Sequence, residues 1–168
     1  MELISTHICK GSEIGVHNNM FGGSLMAYLD ESAGAFASQL CDTPRMVTKK
    51  VEEIVFMEPV RVGNILKIYG EPVRVGNSSV SVGLEVRKHN VYTGVQKVVC
   101  LTKMVFVKID EEGCPVPISD KAKVRIGFKI DKKEINMNWY VWFGCNLFVV
   151  GIRWFNITCI VKTSWITW

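Results

Sequence analysis

No C-x-x-C pair and no Cys/His grouping with metal-ligand spacing occurs in this chain of 168 residues, which argues against a zinc site or a thioredoxin-like redox pair. The six cysteines sit mostly inside apolar runs, where a free thiol behaves as a small hydrophobe. The start, MELISTHICK, has no basic region followed by an apolar stretch, so no secretory signal is read there. A reducing cytoplasm is therefore the expected compartment. No G-x-S-x-G elbow accompanies Ser24 or Ser32, and no Ser-His-Asp order is present, which excludes the usual signature of a nucleophilic serine. No internal repeat is visible. The net charge is only +4, and no nucleic-acid partner is expected from it.

What is present is regular patterning over residues 1–118. Residues 3–9 read as a strand, followed by a turn-rich loop over 11–23. Leu25, Leu29, Ala33, Phe36 and Leu40 then recur at spacings of three and four, which predicts a helix over 24–41 with one apolar stripe. Ala27, Ala33, Gly34, Ala35 and Ala37 keep that helix slim, as a closely wrapped sheet requires. Asp42-Thr43-Pro44 ends it. Strands follow over 46–57, 64–75, 79–88 and 96–109, the third with Val80, Val82, Leu84 and Val86 alternating with more polar or smaller residues. The turns between them are short enough for antiparallel neighbours. The order predicts an α+β domain: a long curved antiparallel sheet wrapped around one central helix, the hotdog architecture. Residues 45–108 carry eleven Lys or Arg against five Glu. That local excess favours a polyanionic ligand, although a solvated sheet face has the same composition.

One segment joins several parts useful for chemistry. Gly22 and Gly23 stand where the helix starts, so their N–H groups are free of intrahelical partners and carry the positive end of the helix dipole. Such donors can hold a developing oxyanion. Asn18 and Asn19 are placed to cap the helix or to bind a carbonyl. Asp30 falls about 60° from Ala33 and about 100° from Leu29 around the helix. It is therefore expected beside the apolar stripe, partly desolvated and with a raised pKa. A solvated or ion-paired Asp and an ordinary Gly-Gly turn would leave the same sequence. His7, His17 and His89 read as strand, loop and turn residues.

The segment HNNMFGGSLMAYLDE at residues 17–31 resembles the helix-start motif of the bacterial hotdog acyl-CoA thioesterases, the family of the cytosolic acyl-CoA hydrolases. Residues 44–88 also resemble that family, in a strand that ends in F-x-x-P-V-x-V-G and a later G-x-S-S turn. The resemblance runs over residues 3–118. It implies Asp30 as the catalytic carboxylate, acting as general base on a water or as a nucleophile. Gly22 and Gly23, with Asn18, are the implied groups around the carbonyl. Relatives often carry a further Asn where this chain has Gly15, so Asn18 or Asn19 would serve here. The implied reaction is hydrolysis of acyl-CoA to free fatty acid and CoA, with no cofactor beyond the CoA of the substrate and no metal. Asn77, Ser78, Ser79, Arg87 and Lys88 are the groups expected at the CoA phosphates. The implied assembly is a homodimer at least, with two sites at the interface, and often a hexamer. Two other functions remain open at this level: a thioesterase for acyl-carrier protein or aromatic CoA esters, and a non-catalytic acyl-CoA sensor.

Residues 119–136 read as a charged connector, and residues 137–168 differ in kind. The latter hold all five tryptophans, at 139, 142, 154, 165 and 168, and their only charges are Arg153 and Lys162. Residues 136–152 are free of charge but interrupted by Asn138, Gly144 and Asn146, a run at the short edge for a membrane span. An interfacial or partner-binding segment, extra structure over the domain, and a tail without selected function are the competing readings. The third is preferred, because relatives end in a charged tail near 120–133. Removing residues 137–168 is expected to leave hydrolysis intact; loss of activity in that truncation would refute this.

Overall fold

The computed structural model describes residues 1–127 and Lys129. Strand β1 (Glu2–Ile8) leads through two 3-10 turns (Gly11–Glu13 and Val16–Asn18) into helix α1 (Gly22–Cys41). Strands β2 (Met46–Val51), β3 (Val55–Phe56), β4 (Ile65–Val75), β5 (Ser79–His89) and β6 (Gln96–Lys108) follow. They form one antiparallel sheet in the order β1-β4-β5-β6-β2, with β3 also paired to β6. This is the α+β hotdog arrangement that the patterning predicts.

The helix forms where the apolar spacing places it. Leu25, Leu29, Ala33, Phe36, Ala37 and Leu40 are all buried against the sheet, and each large one contributes about 1.5–3 kcal/mol relative to exposure. From the other side, Leu66, Ile68, Val80, Val82, Leu84, Val86 and Phe106 fill the same core. The wrap is close: a Cβ on Gly70 of β4 would stand 3.0 Å from Ile4 and 3.3 Å from Phe36. The helix stops at Asp42, whose φ is +53°, and it begins two residues earlier than the stripe alone indicates.

The single strand predicted over 46–57 is divided. Its register slips between Thr48 and Lys50, and residues 52–54 leave the ladder before β3 resumes. Glu52 anchors the break, taking Lys103 Nζ at 2.9 Å and donating its N–H to the Lys103 carbonyl at 2.8 Å. Among the described residues strand β2 is an edge strand, and its residues after Met46 are exposed, which leaves its outer backbone groups available to pair with another chain.

The stretch beyond 118 does more than connect. Residues 120–127 are helical and bury Ala122 and Ile126 beside Ile118. Arg125 donates to the carbonyls of Gln39 at 3.2 Å and Leu40 at 2.6 Å and to Asp42 at 2.9 Å. It thereby satisfies orphan carbonyls at the negative end of α1. The rest of the predicted connector, Lys129 excepted, and the whole tail over 137–168 lie outside the described residues. Among the described residues no helix is long and apolar enough to cross a membrane. Cys9, Cys41 and Cys100 are free and buried and Cys114 is free and exposed; burial pushes the thiols of Cys41 and Cys100 up to about 11.

Candidate active site

The loop before α1 is built around a tight backbone reversal. Gly15 N–H donates to Asn19 O at 2.8 Å, and Ile14 bridges Met20. Between them His17 and Asn18 adopt φ of +60° and +58°. Left-handed backbone at residues other than glycine costs roughly 1–3 kcal/mol each and persists only where the surroundings impose it. Met20 N–H is tied to Val60 O at 2.7 Å, and Phe21 N–H to Glu13 O at 2.8 Å. These bonds deliver the chain into α1 at Gly22.

At that point a cavity of about 420 Å³ opens onto Gly22. Met20, Leu25, Phe56, Met57 and Val60 supply apolar walls, and Asn19 and Glu58 supply the polar ones. The Phe56 ring packs over the helix start, 3.5 Å from where a Cβ on Gly22 would be. As the first two residues of α1, Gly22 and Gly23 have N–H groups without intrahelical acceptors. Of the two, only Gly22 borders the cavity; a Cβ on Gly23 would instead run into the Phe21 ring. Of the two asparagines, Asn19 lines the cavity, whereas Asn18 is exposed and does not.

Asp30 lies elsewhere on the helix. It is exposed, and its Oδ1 accepts a hydrogen bond from Thr48 Oγ1 of β2 at 2.5 Å. The partial desolvation anticipated for it is therefore absent in the isolated chain: Asp30 turns away from the buried stripe, towards the open edge strand. It is eight residues beyond Gly22, about 12 Å along the helix axis.

The residues expected at the CoA phosphates do not converge. Asn77, Ser78 and Ser79 lie at the β4–β5 turn, while Arg87 and Lys88 lie at the far end of β5, roughly 26 Å away at strand rise. Arg87 is held by Glu85 at 2.7 Å and stacks on Tyr69 at 4.5 Å, and Asn77 accepts from Lys123 Nζ at 3.1 Å. Lys88 does border a second cavity, of about 740 Å³, with Arg61, Lys97, His89 and Tyr92. The two cavities share Pro59. Arg61 and Lys97 were not singled out from the sequence. The readable signal is the hairpin register: Lys97 stands directly opposite Lys88, a like-charge pair that is unfavourable unless an anion or carboxylate relieves it. Glu58 lies 3.5 Å from Lys88; among the described residues Arg61 and Lys97 have no carboxylate partner.

Sequence reading also missed Glu13. It is buried and accepts hydrogen bonds from His7, Tyr28 and the Lys10 amide. Burial pushes its carboxyl up, but these donors outweigh that and hold it down at about 2. Among the described residues no cluster of three or more His, Cys, Asp or Glu is arranged to hold a metal.

A model of the thioesterase superfamily matches residues 17–94. The acyl-CoA thioester hydrolase YkhA of Bacillus subtilis, itself described as uncharacterised, is 30% identical over 70% of this chain and 74% of its own. A hexameric hotdog-fold thioesterase of Campylobacter jejuni has 30% identity and a TM-score of 0.67, covering 76% of this chain and 98% of its own. A hexameric broad-specificity acyl-coenzyme A thioesterase superposes with a TM-score of 0.73 over 78% of this chain and 98% of its own. Its 24% identity speaks to the fold.

Proposed function

The chain belongs to the thioesterase superfamily, and from that premise we propose that it hydrolyses acyl-CoA to a carboxylic acid and CoA. The observation that carries this reading is the cavity at the start of α1, whose largely apolar walls are joined by Gly22, the first residue of the helix. An acyl chain fits against Met20, Leu25, Phe56 and Val60. The thioester oxygen then faces the Gly22 N–H, where the helix dipole amounts to about +0.5 charge and the donor is fixed before negative charge develops. Asn19, and Asn18 if the loop adjusts, are the second donors, with Gly23 behind Gly22. Asp30 supplies the base that removes a proton from water, or the nucleophile that forms a mixed anhydride.

The axial separation of Asp30 from Gly22 gives this mechanism a requirement. A carboxylate about 12 Å along the same helix does not touch a carbonyl held at Gly22. Asp30 instead faces β2, the open edge. We therefore assign each reaction centre to two chains, joined along the β2 edge, with Gly22 from one and Asp30 from the other. Such pairing would also partly desolvate Asp30 while leaving room for the attacking water. Six chains, as in the Campylobacter jejuni relative, would make three such pairs.

CoA would leave the first cavity past Pro59 and place its phosphates in the second, among Arg61, Lys88 and Lys97. The test is thiol release by the purified chain from acyl-CoAs of graded length, alongside the matching N-acetylcysteamine thioesters, which lack phosphates. Release from acyl-CoA is expected, and its absence from every ester would overturn the function. Arg61→Glu with Lys97→Glu is expected to raise KM for acyl-CoA at least about tenfold, since each hydrogen bond between charged groups contributes about 1.5–3 kcal/mol. The truncated esters should be unaffected. An unchanged KM would return the phosphates to the opposite end of β5, at Asn77, Ser78 and Ser79.

A further inference from the structure

Behind the helix start lies a polar cluster to which the proposed reaction gives no role. Glu13 is only 7% exposed. One carboxylate oxygen lies 2.9 Å from His7 Nε2 and accepts the Lys10 N–H at 3.0 Å. The other accepts the Tyr28 hydroxyl at 2.6 Å. The rings of His7 and Tyr28 stack with centroids 3.7 Å apart. One side chain thus joins β1, the 3-10 turn and α1.

The backbone of the same residue does a second job. Its carbonyl accepts the N–H of Phe21, the N-cap of α1. Glu13 therefore grips the helix at two points, at its cap and at Tyr28, six residues into it. The loop enclosed by this double grip contains the left-handed residues His17 and Asn18 and ends at Asn19 and Gly22. A loop held in sparsely populated backbone conformations relaxes when its anchors are removed. Its relaxation would move the donors that line the cavity.

We propose that Glu13 is a positioning residue for thioester hydrolysis, holding the 14–21 loop and the start of α1 so that Asn19 and the Gly22 amide meet the substrate carbonyl. This rests on the reading of the cavity given above. A purely stabilising role would lower the folded fraction and leave the folded enzyme's turnover intact. A positioning role lowers kcat in protein that is fully folded, because misplacement by about 1 Å costs on the order of 10²-fold.

Glu13→Gln keeps the shape but replaces one acceptor oxygen with an amide group that meets a donor. Tyr28→Phe leaves the carboxylate and removes one donor. Both are measured at a temperature where circular dichroism and size exclusion match the wild type. Amide exchange is followed by mass spectrometry on the same samples. The expected result for Glu13→Gln is a fall in kcat of at least about tenfold with KM held within about twofold. Exchange should rise over residues 14–23 while β4 and β5 stay protected, and Tyr28→Phe should show a smaller change of the same kind. Wild-type kcat in folded Glu13→Gln, a change in KM alone, or a uniform rise in exchange would each overturn the proposal. If Glu13→Gln does not fold, the same criteria apply to Tyr28→Phe. If the wild type hydrolyses no ester, the cavity reading fails, and unchanged exchange over 14–23 would separately refute the grip of Glu13 on the loop.

Discussion

Asp30→Ala is expected to lower acyl-CoA turnover by about 10³-fold, within the 10²–10⁴ range typical of a lost general base, while leaving the fold intact. The second half of that expectation follows from the surroundings of Asp30. Among the described residues it is exposed and its side chain accepts a hydrogen bond from Thr48 alone, so its removal creates no core cavity and strands no buried donor. Surface changes of this kind usually stay within about 0.5 kcal/mol, and the melting temperature should barely move. KM should change little, because in the proposed pose the acyl chain and the CoA phosphates are held by other residues. Thiol release measured on wild type and variant at saturating acyl-CoA decides the matter. A variant with an unchanged rate would remove Asp30 from the reaction.

The fold was legible because most of it is written in periodicities. Leu25, Leu29, Ala33, Phe36 and Leu40 mark one side of a helix, and Val80, Val82, Leu84 and Val86 mark one face of a strand. Both sets are buried as those periods require. The break between β2 and β3 was not legible, because the groups that meet there, Glu52 and Lys103, are 51 residues apart. The residues expected together at the phosphates are divided between the two ends of β5 for a related reason. Asn77 and Lys88 are close in sequence, but an extended strand separates them, whereas Lys88 and Lys97 come together across the hairpin. Glu13 carries no periodic signal. In sequence it is an acidic residue in a Gly-Ser-Glu turn, which reads as solvated, and its donors His7 and Tyr28 come from a strand and a helix. The surroundings of Asp30 escape any pattern within one chain if its working partner is a second copy.

That division of the reaction centre between two chains gives the other large expected effect. Gly22→Pro removes the N–H proposed to hold the oxyanion, and the first helical position is where proline fits best. Phe21, with φ −65° and ψ 127°, already has the extended backbone that precedes proline. A Cβ at Gly22 meets only Phe56, at 3.5 Å. The helix should therefore survive while kcat falls by about 10²–10³-fold, as for other single oxyanion donors. Co-expressing this chain with Asp30→Ala under two affinity tags yields mixed pairs. If Gly22 of one chain works with Asp30 of the other, each mixed pair has one intact centre and one doubly defective one. An equal, random mixture should then recover roughly one quarter of wild-type activity, and purified mixed pairs about one half, by two-fold symmetry. If both groups acted within one chain, every centre in the mixture would still lack one of them, and activity would stay at the level of the separate variants. Recovery in mixed pairs thus measures the requirement set by the helix itself, which puts Asp30 too far from its own Gly22 to share a substrate with it.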